Sequence, residues 1–185
     1  MTRPEFILVW GLSGAGKSRY CRWLSERGYL YLDNDTIAQR INDGTASELE
    51  QLWMAMRVEQ VSTRDFFHAM ANRRVVAELG ARPDDRSLVQ LRLLMDLGAS
   101  AWWFDGDRSA ARESWLDRDV PVDEEFWRIQ TAWVDMAWRE IAAIFRSRIV
   151  RTVGPGRAHL AEAQIDRMMF GDLPDQGDST PTSDS

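Results

Sequence analysis

Residues 11–18 have the types and spacing of a phosphate-binding loop, because Gly11-Leu12-Ser13-Gly14-Ala15-Gly16-Lys17-Ser18 matches the pattern G-x-x-x-x-G-K-[ST]. Glycines in such a loop let backbone N–H groups converge on phosphates, and the following helix adds the positive end of its dipole. Lys17 is the only lysine among 23 basic side chains, the others being arginines. A compact ammonium fits between the β- and γ-phosphates, whereas guanidinium is planar and forked. We therefore predict nucleoside triphosphate binding, with Lys17 catalytic and the nucleotide contacted by Gly11, Ser13, Gly14, Ala15, Gly16, Lys17 and Ser18.

Two aspartates follow the second predicted strand, residues 29–32. That strand delivers Asp33 and Asp35 to its carboxyl end, which is where ligands bind in open α/β sheets. If the segment stays extended, residues two apart lie on the same side. We interpret Asp35 as the base that accepts the proton of an acceptor hydroxyl, and Asp33 as a ligand of Mg²⁺ or of its waters. The alternative is that Asp33 to Asp35 form only a turn and the N-cap of a helix at Thr36.

A third acidic side chain, Glu78, ends an apolar strand at the position where proteins with this loop place the acid that contacts Mg²⁺ through water. The hydroxyl of Ser18 is the expected protein ligand of the same ion. We therefore predict a magnesium site formed by Ser18, Asp33 and Glu78. A solvent-exposed glutamate at a strand end is the alternative for Glu78.

Arginines follow the fourth predicted strand, in a region that we interpret as a lid. Arg108 and Arg112 share a helical face, and Arg118 lies just beyond that helix. Arginines on a mobile flap neutralise the charge that develops during phosphoryl transfer, so Arg112 and Arg118 are predicted to be catalytic. Asp107, before Arg108, is interpreted mainly as a helix cap.

Segments with strand and helix patterns alternate along the chain, which predicts a doubly wound α/β fold with a five-stranded parallel sheet flanked by helices. We expect one domain over residues 1–170, with a helical insertion at 45–71, a lid at 106–123 and a disordered acidic tail at 171–185. The predicted strands are 6–10, 29–32, 74–79, 101–104 and 148–153. The predicted helices are 16–27, 36–71 with a break near 42–44, 87–97, 108–118, 124–145 and 161–170.

Composition limits the classes of protein that the chain can belong to. Its 185 residues are 44% hydrophobic and include one cysteine, Cys21, so neither a disulfide framework nor a zinc-binding spacing is present. The net charge is −6, of which the four aspartates of the tail contribute −4. A nearly neutral body disfavours a broad nucleic-acid surface. We expect a cytoplasmic monomer or homodimer that does not bind membranes.

Taken together, these motifs resemble those of the P-loop small-molecule and nucleoside monophosphate kinases. The loop at 11–18 is similar to the loops of gluconate and adenylylsulfate kinases, and residues 31–35 resemble the Asp-x-Asp strand of shikimate kinase. Residues 78–83 look like a degenerate Asp-Gly-Phe-Pro-Arg segment of adenylate kinase. The resemblance implies a nucleotide kinase-like fold with ATP and Mg²⁺ as cofactors. It also implies that Gly154 and Pro155, in the turn after the last strand, lie alongside the adenine ring, and that Arg112 is a nucleotide-binding lid residue.

Three functional hypotheses remain at this stage. The first is an ATP-dependent kinase that transfers the γ-phosphoryl group to a hydroxyl of a small molecule. The second is a kinase acting on nucleic acid, at a strand end or on a hydroxymethylated base, because arginine and tryptophan suit stacking on unpaired bases. The third is a regulatory module that binds ATP without transferring phosphate.

Overall fold

The structure, a computed structural model, describes residues 5–80, 85–117 and 123–171. Over these residues strands and helices alternate, as the sequence predicts. The strands are β1 (Phe6–Gly11), β2 (Leu30–Leu32), β3 (Val75–Gly80), β4 (Ser100–Gly106) and β5 (Ile149–Val153). The helices are α1 (Lys17–Ser25), α2 (Asn34–Asn42), α3 (Glu48–Arg57), α4 (Thr63–Ala69), α5 (Asp85–Asp96), α6 (Arg108–Leu116), α7 (Glu124–Phe145) and α8 (Glu162–Phe170), and a 3₁₀ turn covers Pro155–Arg157.

The strands form one parallel sheet in the order β2-β3-β1-β4-β5. The central strand β1 is buried along its whole length, as expected for a parallel strand covered on both faces. Its neighbours are β3 and β4, so the carboxyl ends of three strands meet beside the loop that follows Gly11. This confirms the predicted doubly wound, five-stranded α/β fold.

The two faces of the sheet bury separate apolar clusters, because side chains alternate along each strand. Along β1, Phe6, Leu8 and Trp10 point into the larger cluster, which α3, α4, α5 and α7 cover. Ile7 and Val9 point into the other cluster, which α1 and α8 cover. The segment predicted as an insertion, 45–71, thus contributes α3 and α4 to the larger core.

Several element boundaries differ from the prediction, and the segment predicted as helical over 36–71 has a second break, between α3 and α4. Helix α2 begins at Asn34 rather than at Thr36, so the expectation that Asp33 to Asp35 form an extended segment is wrong. The physical reason is that Asp33 acts as the N-cap of the helix.

Residues 118–122 of the predicted lid, including Arg118, and residues 172–185 of the predicted tail lie outside the described residues. Within the described part of the chain, no helix combines the length and apolar character needed to cross a membrane.

Candidate active site

The loop between β1 and α1 requires glycine for two physical reasons. Gly14 and Gly16 both have φ 77°, a left-handed conformation that favours glycine. Close packing is the second reason, because a Cβ on Gly14 would lie 1.9 Å from the carbonyl oxygen of Ala111 in α6. A Cβ on Gly11 would lie 2.2 Å from the carbonyl oxygen of Phe104 in β4. No side chain caps the first turn of α1, where Gly16 is the N-cap, so its amides can face an anion.

Three surrounding elements fix the backbone of the loop by hydrogen bonds and packing. The amide of Ser13 donates to Oε1 of Gln130 in α7 at 2.9 Å. The hydroxyl of Thr152 in β5 donates to the carbonyl of Ala15 at 2.7 Å and to that of Asp105 at 3.0 Å. Together with the contact of α6 at Gly14, these bonds fix the shape of the loop before any ligand binds.

Lys17 is buried at the start of α1, with 7% of its surface exposed. Its ammonium donates to the carbonyl oxygen of Leu12 at 2.8 Å, across the turn of the loop. The cation therefore lies at the concave side of the loop, where a triphosphate would be bound if the prediction is right.

Two of the three predicted metal ligands are in direct contact. The hydroxyl of Ser18 donates to Oε1 of Glu78 at 3.0 Å, and Glu78 lies in β3 beside Val9 of β1. The second carboxylate oxygen of Glu78, Oε2, is buried and has no well-formed hydrogen bond within the described residues, although a hydrogen bond between the Tyr31 phenol and this carboxylate contributes to the raised pKa of the phenol. A buried carboxylate oxygen whose hydrogen bonding is incomplete, next to a hydroxyl, fits a hard cation that prefers oxygen ligands.

The raised pKa values of two neighbouring side chains indicate negative charge around Glu78. Burial, followed by the charge of Glu78, raises the pKa of the Tyr31 phenol and of the Cys21 thiol well above their usual values. The carboxylate of Asp33 raises both pKa values further, so it belongs to the same electrostatic cluster. Among the described residues, no three side chains of His, Cys, Asp or Glu form a metal cage. Magnesium in nucleotide sites, however, takes one or two protein oxygens plus phosphates and waters.

Asp33 and Asp35 have different environments. Asp33 caps α2, since Oδ1 accepts from the amide of Asp35 at 3.3 Å and Oδ2 accepts from the hydroxyl of Thr36 at 2.6 Å. This supports the capping alternative for Asp33 without removing it from the cluster around Glu78. Asp35 is solvent-exposed in the first turn of the helix. Its role as a base stays a prediction.

In the described part of the predicted lid, the arginine side chains bind α7, while the backbone of α6 packs against the loop at Gly14. The guanidinium of Arg112, which is exposed on α6, binds Glu124 at 3.0 Å, and that of Arg108 binds Asp135 at 3.2 Å. Asp107 caps α6 by accepting from the amide of Ala110 at 2.8 Å, as its interpretation as a cap requires. A catalytic role for Arg112 would require it to leave Glu124 when the nucleotide binds.

The turn expected to contact adenine lies beside the loop. Gly154 donates its amide to the carbonyl of Ala158 at 2.8 Å, and Pro155 begins the 3₁₀ turn. His159 follows, and its Nδ1 lies 3.2 Å from where a Cβ of Gly16 would be. Its Nε2 is 3.3 Å from the hydroxyl of Ser114 in α6. Burial and the nearby guanidinium of Arg19 lower the pKa of His159, which favours the neutral imidazole.

Sequence reasoning missed three residues that contact the loop: Gln130, Thr152 and His159. Gln130 carried a detectable signal, because it lies on the apolar stripe of α7 that includes Trp127 and Val134, and a fully buried amide on such a stripe requires a polar partner. His159 and Thr152 had no such signal, since their contacts depend on how β5 and the turn after it pack against the loop.

Comparison with known proteins identifies the fold. No protein-family model matches the chain, and no curated protein matches it significantly. Among solved structures, a gluconokinase from Sinorhizobium meliloti 1021 is similar with a TM-score of 0.53 and 20% identity, covering 90% of this chain and 89% of that one. The shikimate kinase from Acinetobacter baumannii, in complex with shikimate, is similar with a TM-score of 0.52 and 14% identity, covering 91% and 93%. The chain therefore has the parallel α/β fold of the P-loop kinases.

Proposed function

We propose that this protein is an ATP- and Mg²⁺-dependent kinase that transfers the γ-phosphoryl group to a hydroxyl group of a small molecule. The observation that carries the proposal is the pair formed by Ser18 and Glu78, 3.0 Å apart, with Oε2 of Glu78 buried beside it and, within the described residues, lacking a well-formed hydrogen bond. Glu78 lies in β3 beside the loop, and a carboxylate oxygen buried there with incomplete hydrogen bonding costs free energy unless a ligand pairs with it.

Each residue of the site has a role in this scheme. The loop amides and Lys17 bind the phosphates, while Ser18 and Glu78, with Asp33 nearby, hold Mg²⁺, which supplies charge neutralisation at the phosphates when bound. The turn at Gly154 and Pro155 would contact the nucleoside, and the proximity of His159, which follows the turn, to Gly16 of the loop supports this role.

Asp35 would accept the proton of the acceptor hydroxyl. The acceptor oxygen then bonds to the γ-phosphorus, the bond from that phosphorus to the β,γ-bridging oxygen breaks, and ADP leaves. Arg112 and Arg118 would neutralise the charge on the transferring group after the lid closes. The partners of this protein would then be ATP and a small-molecule acceptor.

Burial of the tryptophans supports a small-molecule acceptor over nucleic acid. Most of the aromatic side chains that could stack on an unpaired base are inside the protein, and Trp10, Trp53 and Trp103 are completely buried. The nearly neutral body of the chain supports the same choice. We also propose a cytoplasmic location, on the basis of the single, buried cysteine.

An ADP-release assay tests the proposal. Purified protein with Mg²⁺ and ATP is offered nucleosides, sugars, aminoglycosides and oligonucleotides in parallel, with Lys17→Ala as the inactive control. Release of ADP that depends on a small hydroxyl compound and on Lys17 supports the proposal. Release of ADP only with oligonucleotides, with steep salt dependence, would instead indicate a kinase that acts on nucleic acid. Mg–ATP binding without turnover on any acceptor would indicate the regulatory module, and absence of Mg–ATP binding would overturn all three hypotheses.

A further inference from the structure

One peptide group of the loop is hydrogen-bonded at both ends. The peptide that joins Leu12 to Ser13 offers its carbonyl oxygen to the ammonium of Lys17 at 2.8 Å. Its N–H donates to Oε1 of Gln130 at 2.9 Å. Because a peptide group is planar and rigid, fixing the direction of its N–H also fixes the direction of its carbonyl.

All of the groups in this arrangement are buried. Gln130 has 0% of its surface exposed, Lys17 7% and Ser13 8%. Solvent water therefore has little access to replace a lost partner, and a buried amide left without an acceptor costs more than the hydrogen bond itself contributes. The orientation of this peptide consequently depends on the side chain of Gln130.

We propose that Gln130 is a positioning residue for Lys17: its amide oxygen sets the plane of the Leu12–Ser13 peptide, and the carbonyl of that peptide directs the ammonium toward the phosphates. The inference rests on the proposed function and extends it to α7, a helix that contributes no residue to the phosphate loop itself. It also explains a completely buried glutamine on an otherwise apolar helical stripe.

The location of Gln130 connects this contact to the lid. Helix α7 starts at Glu124, which binds Arg112 of α6 at 3.0 Å, and Gln130 lies on the same helix about two turns further along. A Cβ added to Gly80, at the carboxyl end of β3, would lie 3.7 Å from Nε2 of Gln130. The side chain therefore lies between the loop and the strand that carries Glu78.

The single lysine of the chain permits a direct test that does not depend on turnover. Protein grown with ¹⁵N-labelled lysine gives one side-chain ammonium signal, and the exchange of its protons with water reports how firmly the ammonium is hydrogen-bonded. This rate and the Kd for Mg–ATP are measured in wild type, Gln130→Met and Gln130→Glu. Thr131→Val is the matched control, because among the described residues its hydroxyl bonds only carbonyls of its own helix, those of Trp127 and Arg128.

The variants are expected to separate the hydrogen bond from packing. Methionine keeps the shape of the side chain but removes the acceptor, so ammonium exchange should accelerate at least tenfold and the Kd for Mg–ATP should rise about tenfold. Glutamate keeps an acceptor for Ser13, so exchange should stay within about threefold of wild type, while its charge weakens Mg–ATP binding until lower pH protonates it. Thr131→Val should match wild type in both measurements.

Two results would overturn the inference. Gln130→Met with wild-type exchange and wild-type Kd would show that Lys17 is positioned without Gln130. Acceleration in Gln130→Glu equal to that in Gln130→Met would show that packing, not the acceptor, is responsible. Failure of the acceptor screen would instead refute the proposed kinase function and leave the exchange result valid, so the two failures are distinguishable.

Discussion

Replacing Glu78 by glutamine should raise the stability of the ligand-free protein and abolish its response to magnesium and nucleotide. In the free protein, Oε2 is buried without a well-formed hydrogen bond among the described residues, and the phenol of Tyr31 and the charge of Asp33 lie nearby. Leaving a buried polar atom unpaired costs about 1–3 kcal/mol, and more when it is charged. The neutral amide removes the charge but weakens the bond from Ser18, so we expect a net gain of about 1 kcal/mol.

Thermal unfolding measures both effects in one experiment. For a chain of this length, 1 kcal/mol corresponds to about 3 °C in Tm, so Glu78→Gln without ligand should unfold about 3 °C above wild type. A ligand at 100 times its Kd adds about 2.7 kcal/mol, which predicts a rise of about 8 °C for wild type with Mg–ATP. The variant should lose most of this rise, as wild type does when EDTA removes the metal.

Glu50 provides a comparison, because it is a buried glutamate with hydrogen-bond partners for both oxygens, whereas Glu78 is half-buried with one buried oxygen, Oε2. Its carboxylate accepts from Arg40 at 2.6 Å and from the amide and hydroxyl of Ser47, each at 2.8 Å. Glu50→Gln should therefore lower Tm and leave the Mg–ATP response intact. Equal destabilisation by both substitutions, or a full Mg–ATP response in Glu78→Gln, would refute the assignment of Glu78 to the metal.

Four further predictions follow from the same geometry. Lys17→Ala should abolish turnover in the ADP-release assay while circular dichroism shows a folded protein. Asp35→Ala should lower kcat by roughly 10²–10⁴ with a smaller change in the KM for ATP, and full activity on the true acceptor would remove its role as base. Gly14→Ala should cost about 3 kcal/mol in urea unfolding, because φ 77° and the carbonyl of Ala111 both oppose a Cβ. Burial raises the pKa of Glu50, but hydrogen bonds from Ser47 and from the Arg40 guanidinium outweigh burial and lower that pKa. The contribution of Glu50 to stability is therefore complete above about pH 4.3 and is lost as the pH falls through the lowered pKa. Glu50→Gln should flatten that part of the stability profile.

The order and type of the elements could be predicted from the sequence because local signals agree with one another. Helix α7 begins at Glu124 after the capping residue Asp123 and ends at Phe145, as predicted, since the cap and the apolar stripe both lie in the sequence. The strands were found from continuous apolar runs, which is the pattern of a parallel sheet buried on both faces. The loop at 11–18 was found because its glycines and lysine are required by local geometry.

Asp33 and Asp35 show that the preference of aspartate for a helix N-cap can override the extended conformation expected at the end of a strand. Alternation in an extended segment was expected to place Asp33 and Asp35 together, but aspartate is also a strong N-cap, and here Asp33 caps α2 and moves Asp35 into a helical turn. Whether such a segment stays extended or begins a helix depends on the residues that follow it. Ile37, buried in the core from α2, favours the earlier helix start.

Contacts across the fold could not be derived from any one segment. Gln130 and Ser13 are 117 positions apart, and Thr152 and Ala15 are 137 apart, so each pair meets only after the sheet has brought the ends of its strands together. What the sequence does contain is the requirement for a partner, because a glutamine on the buried stripe of α7 must satisfy its amide. The search for missing site residues in a chain of this fold can therefore start from polar side chains on apolar helical stripes, and in this chain that rule leads from α7 to the peptide that faces its only lysine.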